Sequence, residues 1–167
     1  MDEQSKTPLC SERQAALDLP RQVERMHRRY LDVVRLQLDR HGFRDINPVQ
    51  AVMLETIGGA QGYEALSVRD LIERGYYLGS NASYNLKNLV DGGYVNRQLL
   101  ERDRRSALLS LSDKGRLVLG LLTRINETVS AEILKDDGAA LETTFRILRA
   151  FEHRWGEAVR DGEDFSP

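Results

Sequence analysis

The stretch Gly79–Gly115, GSNASYNLKNLVDGGYVNRQLLERDRRSALLSLSDKG, decides the fold of this chain. It divides into a polar-faced helix, a glycine stop and an arginine-tipped hairpin. Ser80 is placed to cap the helix, and Gly92-Gly93 to end it, because glycine adopts the left-handed conformation that closes many helices. Ala82, Leu86, Leu89 and Val90 recur at helical spacing and define one narrow apolar stripe. The remaining positions, Asn81, Ser83, Tyr84, Asn85, Lys87 and Asn88, form an outer face of amides and hydroxyls with few of the Glu/Lys pairs of an ordinary solvated helix. Asn and Ser are mediocre helix formers, so their presence asks for a reason. Base edges in the major groove supply one, since they present donors, acceptors and thymine methyls that such side chains match. A merely polar surface helix is the competing reading, and this helix alone does not choose between them.

The flanking segments bear on that choice. Tyr94–Leu100 and Ser106–Leu111 are β-prone, and the second alternates Ala107, Leu109 and Leu111 against Ser106, Leu108 and Ser110. Between them lies Glu101-Arg102-Asp103-Arg104-Arg105, a tip whose Arg102, Arg104 and Arg105 suit phosphate or the minor groove. Asp103 is expected to pair with a tip arginine and steady the wing. A charged tip that discourages edge pairing would look the same. Upstream, Ser67-Val68-Arg69-Asp70 opens a short supporting helix that Gly75 can end, and Tyr76–Gly79 forms the turn into the polar helix. A winged helix-turn-helix accounts for all of these parts together.

At these residues the chain resembles the MarR family of transcriptional regulators. SVRDLIERG matches the supporting helix, SNASYNLKNLVDGGYV the recognition helix with its closing Leu89 and Gly93, and DRRSALLSLSDKG the wing. The family pattern of Asp, any residue, Arg and a strand ending Leu-Ser/Thr-x-Lys-Gly falls on Asp103, Arg105, Leu111, Ser112, Lys114 and Gly115. The likeness extends in layout over residues 20 to 159, and YYLGSNASYNLKNLVD with RDINPVQAVML also resembles an alphaproteobacterial, LdtR-like branch. Tyr84 and Asn88 stand where many relatives carry Arg, so no operator sequence is carried over.

The flanks read as a dimerisation scaffold. Val23, Met26, Tyr30, Val34 and Leu38 mark one face of a helix from Pro20 to Arg40, and Leu31 and Leu36 widen it beyond one-sided burial. Asn47-Pro48 opens a second helix carrying Val49, Val52, Met53 and Ile57 to Gly58-Gly59. Ser112 caps a long helix bearing Leu117, Leu121, Leu122, Ile125, Val129 and Ile133, which Asp136-Asp137-Gly138 breaks. A last helix carries Leu141, Phe145, Leu148, Phe151, Trp155 and Val159. The expected layout is a flexible tail over 1–19, a dimerisation helix and linker over 20–46, a DNA-binding lobe over 47–112, C-terminal dimerisation helices over 113–160 and a tail over 161–167. The fold class expected is mainly α with a small β-hairpin wing.

Composition sets limits on function. At 167 residues, with a net charge of -2, the chain is about one domain and not a nonspecific polyelectrolyte binder. Its single Cys10 gives no disulfide framework, and no run is apolar enough for a membrane span or signal peptide, so a cytoplasmic location is expected. His27, His41 and His153 lack metal-ligand spacing, and Gly58-Gly59-Ala60-Gln61-Gly62 lacks the Lys-Ser/Thr of a phosphate loop. Neither an enzyme nor a cofactor is expected. The partners expected are double-stranded DNA, read as an inverted repeat, and a second copy of the chain, with repression as the expected outcome. The rival is a winged helix used as a protein-interaction module. The MarR resemblance further implies a small aromatic or anionic effector, and Tyr30, Val34, Met53 and Ile57 lie on the elements that would line its crevice. Oxidation of Cys10 is the less favoured switch, because TPLCSER offers neither an apolar setting nor a resolving thiol.

Overall fold

The structure is a computed structural model that describes residues 6–59, 66–75, 79–100, 103–164 and 166, with the side chains of residues 6–10, 74, 100, 103–106 and 136 outside the description. The elements in order are α1 (Lys6–Arg40), α2 (Pro48–Gly58), β1 (Leu66–Ser67), α3 (Val68–Gly75), α4 (Gly79–Asp91), β2 (Val95–Leu100), β3 (Asp103–Leu111) and α5 (Asp113–Asp161). Mainly α with a small wing is the class expected from the sequence. The strands form one antiparallel sheet in the order β1-β3-β2.

Local chemistry explains most element boundaries. Asn47 caps α2 through a reciprocal box: its side chain accepts from the Gln50 N–H at 2.9 Å, and the Gln50 side chain accepts from the Asn47 N–H at 3.0 Å. Ser67 Oγ accepts from the Asp70 N–H at 3.0 Å and starts α3, and Ser112 Oγ accepts from the Gly115 N–H at 3.0 Å and starts α5. Gly93, at φ 73°, ends α4, and the Tyr94 N–H returns to the Leu89 carbonyl at 2.9 Å. Three boundaries differ from expectation. α1 begins at Lys6 with Pro20 inside it, α4 takes in Gly79 so that Ser80 lies within its first turn, and β3 starts at Asp103. Pro20 fits within the helix while lacking an amide to donate, so it marks no helix start there.

The chain falls into two compact units, Met1–Thr123 and Arg124–Pro167. In the first, Val34 and Leu38 of α1, Met53, Leu54 and Ile57 of α2, Leu71 of α3, Ala82, Leu86 and Leu89 of α4, and Val118, Leu121 and Leu122 of α5 are buried. The sheet contributes Leu66, Val95, Ala107, Leu109 and Leu111, the alternation expected of β3. Leu117 was expected on the packed face of α5 but is exposed, because the inward stripe runs through Val118. One glycine is fixed by close approach to backbone: a Cβ on Gly115 would meet the Tyr94 carbonyl oxygen at 2.2 Å, whereas one on Gly58 would meet only the movable side chains of Leu119 and Leu111.

The second unit is helical up to Asp161 and kinked at Asp137, whose φ of -136° leaves the helical region where Asp136-Asp137-Gly138 was expected to break it. Phe151 and Trp155 meet edge to face with centroids 5.5 Å apart. Val129, Ile133, Phe145, Ile147, Trp155 and Val159 are all exposed on this unit. No helix among the described residues is long and apolar enough to cross a membrane.

Candidate nucleic-acid interface

The apolar stripe of α4 fixes which way its polar face points. Ala82, Leu86 and Leu89 are buried, which leaves Ser80, Asn81, Ser83, Tyr84 and Lys87 exposed and Asn85 and Asn88 half-buried beside the stripe. Tyr84 is 66% exposed, unusual for an aromatic side chain with no covering neighbour, and it stands at the middle of this face. The Asn85 amide donates to the Asn81 carbonyl at 3.0 Å, so it is oriented along the helix. Lys87 sits 3.9 Å from Asp91, a loose exposed pair that leaves its ammonium adaptable.

The wing offers a second polar surface. Asn96, Arg97, Gln98 and Leu99 of β2 are exposed. Arg97 was missed in the sequence reading, although its position between Val95 and Leu99 in an edge strand was the available signal. The backbone of Asp103, Arg104 and Arg105 lies in β3, with Asp103 paired to Leu100 beside the turn and a register shift between that pair and Leu99–Ala107. Arg102, like the turn Tyr76–Leu78, lies outside the described residues, and so do the side chains of Asp103, Arg104 and Arg105.

A cleft of about 510 Å³ adjoins the α4 face, its lining including Leu31, Asp32 and Arg35 of α1, Val49 of α2, and Tyr84 and Asn85. The residues expected to line an effector crevice lie elsewhere. Val34, Met53 and Ile57 are core side chains, and the half-buried Tyr30 donates its hydroxyl to Glu55 at 3.0 Å. Their burial follows from helical spacing on the inner faces of α1 and α2.

Behind α4 the electrostatics concentrate on Asp45. Its carboxylate accepts from Lys114 Nζ at 2.6 Å and from the Tyr94 hydroxyl at 2.5 Å, and these bonds, that of Lys114 foremost, hold it below the usual carboxylate range. Burial, with the Asp45 bond and charge adding to it, pushes the Tyr94 phenol above its ordinary range. Tyr94 therefore stays neutral and donates. The sequence reading noted Lys114 and Gly115 as motif positions without seeing this contact. Among the described residues no group of His, Cys, Asp and Glu is arranged to hold a metal. His41 Nδ1 lies 2.8 Å from the Gln37 carbonyl and His153 lies 3.3 Å from Glu157, both ordinary helix-surface contacts.

With this geometry in hand, the relatives are informative. The sequence profile of the MarR family matches residues 44–106, from Arg44 just before α2 to Ser106 in the first half of β3. The chain is 41% identical over 147 residues to the exopolysaccharide II synthesis transcriptional activator ExpG of Rhizobium meliloti strain 1021, covering 87% of this chain and 74% of the relative. In structure it is similar to FabT of Streptococcus pneumoniae in complex with DNA, with a TM-score of 0.69 and 20% identity, covering 84% of this chain and 99% of that one. It is likewise similar to a mutant MarR of E. coli complexed with operator DNA, with a TM-score of 0.62 and 20% identity, over 80% of this chain and 94% of that one. The two solved complexes share the fold and are too distant in sequence to transfer contacts.

Proposed function

The chain belongs to the MarR family of DNA-binding transcriptional regulators, which are not enzymes, and from this we propose that it acts as a homodimer reading an inverted-repeat operator. The observation that carries the reading is the exposed amide and hydroxyl face of α4 with Tyr84 at its centre. Ser83, Tyr84, Asn85 and Asn88 then face base edges, with Ser80, Asn81 and Lys87 flanking them, while Arg102, Arg104 and Arg105 at the wing meet phosphate or the minor groove. Asp103 steadies that wing. A two-fold axis sets the half-sites about one helical turn, roughly 34 Å, apart. Exposed Met26, Val33 and Leu36 on α1, and Phe145, Trp155 and Val159 on α5, support a second copy as the cover for these faces. A cytoplasmic location and an LdtR-like branch belong to the same proposal.

A small aromatic anion is the effector that best suits the cleft beside Tyr84. Arg35 offers a cation, the Asp32 carboxylate on the same wall is matched by Arg29 at 3.5 Å, and Leu31, Val49 and the Tyr84 ring offer apolar surface. Tyr84 cannot both cover such a ligand and reach a base, so occupancy and operator binding oppose each other. Repression is the proposed outcome, the sign of regulation being encoded by no particular residue. The name of the relative, a transcriptional activator, favours a second reading in which the same docking recruits transcription instead.

Selection of genomic fragments by the purified protein, followed by footprinting, tests the reading. A symmetric footprint on an inverted repeat is expected, and a monomer protecting one half-site would contradict it. Tyr84→Ala should reduce discrimination between operator and scrambled duplex by about 1 to 3 kcal/mol. Arg105→Ala should weaken both duplexes and flatten the salt dependence.

A further inference from the structure

Three stretches far apart in sequence meet behind the reading face of α4. They are Asp45 in the connection from α1 to α2, Gly92–Tyr94 at the end of α4, and Ser112–Gly115 where the wing passes into α5. Asp45 Oδ1 takes the Tyr94 hydroxyl and Oδ2 takes Lys114 Nζ. The same ammonium donates to the Gly92 carbonyl at 3.0 Å and rests 4.0 Å from the centroid of the Tyr94 ring. Ser112 Oγ donates to the Gly93 carbonyl at 2.6 Å. One carboxylate thus holds the root of the helix with one oxygen and the root of the wing with the other.

Such a junction adds little to folding stability. The side chains of Asp45 and Lys114 are 56% and 39% exposed, and ion pairs in water's reach are weak. Its strength is direction. Burial of apolar surface is indifferent to angle, whereas short, charge-assisted hydrogen bonds are not. The apolar core brings α4 and the sheet together, and the Asp45 bonds select one angle between them.

We propose that Asp45 is a positioning residue for DNA recognition: it locks the end of α4 and the root of the wing into the one arrangement in which both reach a single site, without itself touching DNA. The proposal rests on the docking of α4 and the wing given above. It makes a prediction opposite in sign to simple electrostatics. Removing an acidic charge from a DNA-binding protein strengthens attraction to the phosphates. Loss of a positioning carboxylate weakens binding instead.

The test uses the full chain and the duplex that wild type selects, with affinities measured across a salt series. Asp45→Asn is expected to bind at least about tenfold more weakly. Its salt slope should fall by about one, the signature of one lost phosphate contact although no cation was removed. Its thermal midpoint should stay within a few degrees of wild type. Asp39→Asn, an exposed acid outside the junction, should bind as wild type or more tightly. Tyr94→Phe, which removes only the hydroxyl, should reproduce part of the loss, and this variant decides the matter if Asp45→Asn does not fold. Asp45→Asn and Tyr94→Phe binding as tightly as wild type would overturn the proposal, as would a weakening with unchanged salt slope. A wild-type chain that retains no duplex is a distinct result, since it removes the docking reading and with it any role for Asp45.

Discussion

The lobe up to Thr123 and the arm from Arg124 onward use the same residue types to different ends. In the lobe, Leu54, Leu71, Leu89, Leu109 and Leu122 are closed off from water, and its helix starts are capped by Asn47, Ser67 and Ser112. In the arm, Phe145, Ile147, Trp155 and Val159 stay open, with Val159 83% exposed. Apolar spacing alone therefore does not say whether a helix completes a core or presents a surface. What differs is the company: the lobe's helices share a sheet, whereas the arm's apolar residues are open and take their cover only in the proposed homodimer.

Leu109→Ala, at a fully buried position on the central strand, should cost about 2 to 5 kcal/mol in thermal or urea unfolding. A loss below about 1 kcal/mol would mean that the lobe's core is not its own. In the arm, Trp155→Ala should leave the lobe's unfolding unaltered and weaken self-association by about 2 kcal/mol, read by sedimentation over a dilution series. Unchanged association would leave the exposed arm without its proposed cover. Asn47→Ala, which removes the box that starts α2, should lower stability by about 1 kcal/mol without changing association.

The smallest effect is on acid stability. Because the bonded Asp45 titrates below its ordinary range, its contribution is complete above the unfolded value of about 3.9 and disappears as pH falls through the lower folded value. Its half-exposed side chain limits that contribution to about 1 kcal/mol or less. The stability gap between wild type and Asp45→Asn should accordingly be constant from pH 5 to 8 and close below about pH 4. A gap that widens in acid would reverse the assignment.

The features legible in the sequence are those encoded within a few residues. Asn47-Pro48, Ser112, Gly93 and the alternation of Ala107, Leu109 and Leu111 each carry a local signal, and each lies where that signal indicates. β1 was missed because two residues, Leu66 and Ser67, have no periodicity to read. Leu117 and Val118 are neighbours, and only packing decides which of them points inward. The outward face of α4 could be read from its stripe, whereas the Asp45 contacts span 49 and 69 positions and have no local trace. Val34, Met53 and Ile57 have the helical spacing of core residues, which already favours packing over a crevice for each of them, and all three are buried.

Gly115 carries a consequence for engineering. Its α-carbon lies against the Tyr94 carbonyl so closely that a methyl group would stand 2.2 Å from the oxygen, and that oxygen already accepts the Ser112 N–H at 3.0 Å. Neither partner is a flexible side chain, so backbone would have to move. In a saturation library screened for operator binding, this position should return glycine alone, while Gly120, on the same helix with nothing near its missing side chain, should accept alanine and gain helix propensity. A designer seeking new specificities from this scaffold would leave the first turn of α5 untouched and vary the outward face of α4.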